Sequence, residues 1–191
     1  MRLVLASASP RRTLLLTVAG YPHDVRVPDV EESLIEGEPA AEAVLRLSDA
    51  KARSVPRRSH EVVLAADTMV VLNGELLGKP LNAADAHEML SRLSGRTHSV
   101  LTGWTIIGDE GERFGVAESR VTFKKLTSET ISEYLVDAEP LDKAGSYALQ
   151  GERGRLVAGV SGSRVNVMGL PLGDVARMLA ELGIERSPAD R

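Results

Sequence analysis

RLVLASASPRR, residues 2–12, is the stretch on which the fold turns. Arg2–Ala6 is a short apolar run rich in branched residues, the mark of a buried strand. Ser9 then offers a helix N-cap, and Pro10 suits the first helical position, where its missing N–H costs nothing. Leu14, Leu15, Val18 and Ala19 supply an apolar stripe, and Gly20 ends the helix. The chain therefore opens as strand, tight turn, helix. The turn carries two hydroxyls, Ser7 and Ser9, and two guanidiniums, Arg11 and Arg12.

The same alternation continues outward. His23–Val27 alternates and predicts a strand; Pro39 starts a helix to about Arg53. Val62–Ala66 predicts a central strand ending in Asp67-Thr68, and Met69–Leu72 continues it to Asn73-Gly74, a hairpin turn pair. Asn82 caps a helix over Ala83–Leu93, closed by Gly95. His98–Ile107 and Arg113–Lys125 read as a hairpin through Gly108-Asp109-Glu110-Gly111. Thr127 or Ser128 caps a helix to about Val136, Val157–Val160 predicts a strand, and Leu172–Leu182 a last helix ended by Gly183. Helices interleaved with strands, plus an antiparallel hairpin, indicate an α/β fold with a mixed sheet and flanking helices. At about 150 residues per domain, the 191 residues favour one domain, taken as 1–184 with two lobes around a cleft and a flexible tail over 185–191.

Bulk properties narrow the function. With 43% hydrophobic and 26% charged residues the chain is globular, and with 3% aromatics its core is aliphatic. There is no cysteine, which excludes disulfides, thiolate zinc sites and cysteine nucleophiles. No apolar run approaches the roughly 20 residues of a membrane span, and the N-terminal one is too short for a signal peptide, so the expected location is the cytoplasm. The net charge of −4 argues against a nucleic-acid partner. An anionic ligand must then be held by local clusters of positive charge.

The first turn is one such cluster. A helix N-terminus presents amides and partial positive charge, and guanidinium forks match phosphate oxygens two at a time. The same residues would equally serve as a cap and a solvated surface. Gly78-Lys79-Pro80 is not a P-loop. Only three residues separate Gly74 from Gly78, and Pro80 stands where a Ser or Thr would bind magnesium. Lys79 remains able to meet phosphate as a point charge. Asp67, at the end of an apolar strand, could hold magnesium or take a proton from water, or could simply be a turn residue. Glu31 and Glu32 are candidates for a second metal-facing carboxylate, or solvated surface. His87-Glu88 lacks a second histidine, since position 91 is Ser. Gln150 carries both donor and acceptors, suited to a base edge or to backbone.

Taken together, these segments resemble the Maf family of nucleotide pyrophosphatases. The matching pieces are Leu5–Arg12, Val30–Ser33, Lys51-Ala52, Ala66-Asp67-Thr68, Leu77–Pro80 and Leu93–Arg96, followed by Thr102-Gly103, Asp142–Gly145, Tyr147–Gly151 and Asn166–Pro171. They keep the family's order along nearly the whole chain. The resemblance implies an elongated α/β molecule with a central cleft, similar in architecture to inosine-triphosphate pyrophosphatases. It implies hydrolysis of a nucleoside triphosphate to monophosphate and pyrophosphate with a divalent cation, magnesium or manganese.

By the same resemblance Asp67 is the proton acceptor and, with Glu32, faces the metal. Lys51 and Lys79 act as catalytic cations, and Ser7, Ser9, Arg11, Arg12 and Lys143 bind phosphate. Arg11, Thr68 and Gln150 match positions that sort the family by substrate, and here they look like the dTTP/UTP branch. The branch similar to 7-methyl-GTP pyrophosphatases carries an aromatic at the Arg11 position and an acidic residue at the Gln150 position. Gly162–Val165 and Ser48-Asp49 depart from the family pattern. The family also has members associated with septum formation, which keeps a regulator of cell division as an alternative; a homodimer is the family tendency.

Overall fold

A computed structural model describes residues 1–137, 143–149 and 155–187 of the chain. Seven strands form one mixed sheet in the order β2-β1-β3-β5-β6-β7, with β4 paired to β3. In chain order the strands are β1 (Arg2–Ala6), β2 (His23–Arg26), β3 (Glu61–Leu72), β4 (Glu75–Leu77), β5 (Thr97–Gly108), β6 (Gly111–Phe123) and β7 (Val157–Ser161). The helices are α1 (Pro10–Val18), α2 (Ala40–Ser54), α3 (Ala83–Leu93), α4 (Ser128–Asp137), the single turn α5 (Arg164–Val167) and α6 (Leu172–Glu181). The expected α/β class with a mixed sheet holds. The described chain divides into two compact units. The first comprises Met1–Asp67, Thr102–Ala117 and Gly169–Arg191, and the second Thr68–Leu101 and Glu118–Met168.

In the first unit β1 runs parallel to both β2 and β3. Leu3 to Ala6 are all buried, so both faces of β1 are covered, as a parallel sheet requires. Val4 and Ala6 of β1 and Val63 and Ala65 of β3 pack with Ala52 and Val55 of α2 and its end. Odd-numbered residues of β3 therefore face α2. The buried stripe of α2 is Ala43, Val44, Leu47, Ser48, Lys51 and Ala52, the spacing of one helical face. Helix and sheet meet without an intervening side chain at Gly103 of β5, where a Cβ would lie 2.4 Å from the Val44 carbonyl oxygen. Ser48, in the stretch that departs from the family pattern, is buried there and shares a 2.9 Å hydrogen bond with Thr105.

In the second unit the Asn73-Gly74 pair makes the predicted hairpin. Both residues have positive φ, 53° and 84°, and Leu72 pairs directly with Glu75. Asn82 caps α3 as predicted, accepting the Asp85 N–H at 3.0 Å. The core is aliphatic with one aromatic group, Phe123, Tyr134 and Tyr147, joined by Leu90, Leu93, Val121 and Ile131. Gly162–Val165 forms a capped turn. The Ser163 side chain accepts the Asn166 N–H, and its own N–H donates to Ser119 Oγ at 3.0 Å.

Two expectations change. Ser9 stands at the N-cap of α1 in extended conformation, but its side chain makes no capping bond. Its backbone N–H instead donates to Ser7 Oγ at 3.1 Å, so the hydroxyl that organises the turn is Ser7. Beyond Ile184, the stretch expected to fray is held as far as Ser187. The Ser187 N–H donates to the Gly20 carbonyl at 2.7 Å, and the Arg186 guanidinium lies 5.5 Å from the Tyr21 ring centre. No helix among the described residues is long and apolar enough to cross a membrane.

Candidate active site

β3 runs unbroken past Asp67 to Leu72, along the continuation that Met69–Leu72 predicts. What ends near Asp67 is the parallel pairing. Ala6, the last residue of β1, lies opposite Ala65, after which the chain leaves the sheet as the Ser7–Arg12 turn. Asp67 therefore sits two residues past the carboxyl end of β1, where open α/β sheets place their ligands. Its number is odd, so it projects toward α2, the side from which Lys51 comes.

Lys51 lies on the apolar stripe of α2, one turn beyond Leu47. Its stem is buried with the stripe, and its ammonium emerges among carboxylates. Lys51 Nζ is 2.6 Å from Asp67 Oδ1 and 2.7 Å from Glu32 Oε1. Lys51 and Asp67 are both buried, while the Glu32 side chain is 46% exposed. One cation thus bridges the two carboxylates. Desolvation would make the buried Asp67 carboxylate costly if unpaired, and the ammonium removes that cost.

Arg12 is the second buried cation. Its Nε donates to the Gly169 carbonyl at 2.8 Å, and one terminal nitrogen donates to Ser7 Oγ at 3.2 Å. Ser7 Oγ therefore accepts from both the guanidinium and the Ser9 amide, which ties the arginine to the turn. Burial lowers the Arg12 pKa. The negative charge of Asp67 opposes that shift, Arg11 adds to it, and Glu32 opposes it again. The guanidinium stays protonated nonetheless. The structure thus brings Ser7, Ser9, Arg11, Arg12, Glu32, Lys51 and Asp67 together within the first unit.

The other sequence candidates belong to the second unit. Thr68 follows Asp67 on β3, half-buried and projecting to the opposite face. Lys79 is exposed just after β4, and Lys143 is half-buried just before the 3-10 turn Ala144–Ser146. A 3.0 Å hydrogen bond from the Gly145 N–H to the Gly78 carbonyl joins the two segments that carry these lysines. Gln150 and Asp142 lie outside the described residues. The sequence reading missed the Gly169 carbonyl as the anchor of Arg12. The only local sign of it was a glycine, here at φ 109°, inside the Asn166–Pro171 piece. Lys51, expected as a catalytic cation, lies between two carboxylates in this structure. The signal for that was a lysine on an apolar helical stripe.

Among the described residues no group of three or more His, Asp or Glu side chains could by itself cage a metal. Glu32 and Asp67 nevertheless fit magnesium or manganese. They offer hard oxygens close enough to share one cation, and magnesium commonly takes one or two carboxylates plus substrate phosphates rather than a full protein cage.

The chain is 50% identical over 183 residues to a dTTP/UTP pyrophosphatase of Myxococcus xanthus, covering 95% of this chain and 93% of that one. It is 46% identical over 183 residues to a dTTP/UTP pyrophosphatase of Symbiobacterium thermophilum, covering 95% and 94%. Among solved structures it is similar to the Staphylococcus aureus Ham1 protein, at 17% identity and a TM-score of 0.49 over 96% of this chain and 98% of that one. The model of the Maf-like proteins matches residues 2–182, which include every strand, helix and acidic or basic candidate described above, and the chain belongs to that family.

Proposed function

We propose that the protein is a nucleoside triphosphate pyrophosphatase that hydrolyses dTTP and UTP to the nucleoside monophosphate and pyrophosphate. The observation that carries this reading is the juxtaposition of Asp67 and Glu32 on one cation, beside a fixed arginine at the carboxyl end of a parallel strand. Relatives of such high identity being named dTTP/UTP pyrophosphatases supports the choice of substrate.

Asp67 accepts the proton of the attacking water. Water adds to phosphorus as the bridging P–O bond breaks, and the departing pyrophosphate carries off the negative charge. Arg12 meets the phosphates with its orientation fixed in advance by Ser7 and Gly169, so little ordering is left to do on binding. Arg11, Lys79 and Lys143 add positive charge, and Ser7 and Ser9 contribute hydrogen bonds. A divalent ion, held by Glu32 and Asp67, would supply charge neutralisation at the phosphate oxygens. Thr68 and Gln150 read the base. A site whose polar groups pair with a pyrimidine edge rejects bases that leave them unmatched.

Pyrophosphate release from a panel of nucleoside triphosphates, with magnesium or manganese present, tests the reading. dTTP and UTP should be turned over and purine nucleotides spared. Turnover of 7-methyl-GTP in their place would move the chain to the other branch. A folded protein that releases pyrophosphate from none of them would fit a nucleotide-binding regulator of cell division and would refute the enzyme assignment.

A further inference from the structure

Lys51 is spent on carboxylates, and this has a consequence for how the site loads. The ammonium satisfies Asp67 and Glu32 at 2.6 and 2.7 Å, inside hydrogen-bonding distance of both. It approaches from α2, whose position is fixed by the contact of Val44 with Gly103 and by the Ser48–Thr105 bond. The Asp67 and Glu32 charges are felt at Arg12 as well, so two cations already answer two anions. A divalent ion arriving alone would meet carboxylates that are balanced and a site with no net attraction for it. A triphosphate changes the balance, because it brings several negative charges that can take over the ammonium. Lysine suits such a transfer, having a point charge on a flexible four-carbon stem.

Resting on the reading of Glu32 and Asp67 given above, we propose that Lys51 is a positioning residue that stands in for the cation. In the nucleotide-free protein it holds both carboxylates in place and keeps divalent ions out. The metal therefore enters with the triphosphate, and the ammonium passes from carboxylate to phosphate as it does so. A lysine whose ammonium stood away from the carboxylates until phosphate arrived would leave metal affinity without nucleotide little changed.

The test measures binding of Mn²⁺, by the loss of its free electron paramagnetic resonance signal, to the full chain with and without a non-hydrolysable dTTP analogue, each reading compared with the same analogue in the absence of protein, because a triphosphate binds Mn²⁺ by itself. Wild type should leave Mn²⁺ largely free until the analogue is added. Lys51→Met should bind Mn²⁺ without nucleotide at least about tenfold more tightly than wild type, the scale expected when one nearby unit charge is removed. In Lys51→Met, added Mn²⁺ should also raise the unfolding temperature, since a ligand that binds only the folded state stabilises it.

Equal Mn²⁺ affinity in wild type and Lys51→Met would overturn the proposal. So would wild-type binding that ignores the analogue, a measurement that needs no variant to fold. Nucleotide-independent Mn²⁺ binding by a wild type that releases pyrophosphate from dTTP would remove this inference and leave the function standing. Nucleotide-gated binding with no pyrophosphate release would do the opposite.

Discussion

The two units bury polar groups in opposite ways. The first buries charge, with the Lys51 ammonium on Asp67 and the Arg12 guanidinium on a carbonyl and a hydroxyl. The second buries a neutral cluster. His98 Nε2 and the Tyr147 hydroxyl share a 2.7 Å hydrogen bond, with the rings of Phe123 and Tyr147 set edge-on around the imidazole. Among the described residues the buried His98 Nδ1 has no hydrogen-bond partner, so nothing there rewards a second proton. Burial accordingly lowers the His98 pKa to about 4. Charge kept under cover is costly unless a partner or a substrate uses it, whereas a neutral pair can serve shape alone. The contrast locates chemistry in the first unit and scaffolding in this part of the second.

The largest effect expected from breaking the contrast is on the charged side. Asp67→Asn should fold, because the amide still faces Lys51, yet lose about 10²–10⁴-fold in turnover, the usual contribution of a general base. Pyrophosphate assays beside circular dichroism check this, and a variant with wild-type rate would remove Asp67 from the reaction.

On the neutral side the expected effect is on stability and depends on pH. The folded ring resists protonation down to about pH 4, while the unfolded ring binds a proton below its ordinary value of 6.5. Stability from this source is complete above 6.5 and is lost as pH falls through that window, by about 3 kcal/mol in all. His98→Gln should flatten the loss between pH 6.5 and 4 and leave turnover at neutral pH intact. Urea titrations at several pH values would reveal it, and an unchanged slope would mean that the ring is not neutral in the fold.

Gly103→Ala sharpens the comparison through the scaffold of the charged site. Its Cβ would strike the Val44 carbonyl, so stability should fall by about 1–3 kcal/mol and turnover should drop as α2 and Lys51 shift. Asn82→Ala, at the cap of α3, should cost about 1 kcal/mol with the rate unchanged. Thermal unfolding and steady-state rates on both variants separate a structural change that reaches the chemistry from one that does not.

Much of this was legible in the sequence, and unevenly. The opening strand, turn and helix, the Asn73-Gly74 hairpin and the Asn82 cap are local signals, written within a few residues and read correctly. Residues 66–68 stand out as a site piece on a run that Met69–Leu72 continues, but the end of the pairing with β1 beside Asp67 is not written locally. Strand length is set by which neighbours remain paired, and that is a long-range property. Ser9 looked like a cap because of its type and position, but the Ser7 hydroxyl takes its amide, a choice fixed by Arg12 on the far side of the turn. Lys51 stands out as a catalytic cation, but its partners do not. Its carboxylate partners lie 16 and 19 positions away in sequence, and nothing local announces them.

The contact between Gly103 and the Val44 carbonyl also acts as a mechanical stop. Where a helix rests on a sheet through side chains, its height follows their volumes and drifts as they are exchanged. Here the backbone of α2 meets the backbone of β5 directly, and the spacing at that point is independent of what fills the rest of the layer. Ala43, Leu47 and Ala52 are therefore open to repacking over evolutionary time without lifting the helix. The reach of the lysine two turns further on is calibrated by a residue that has no side chain at all.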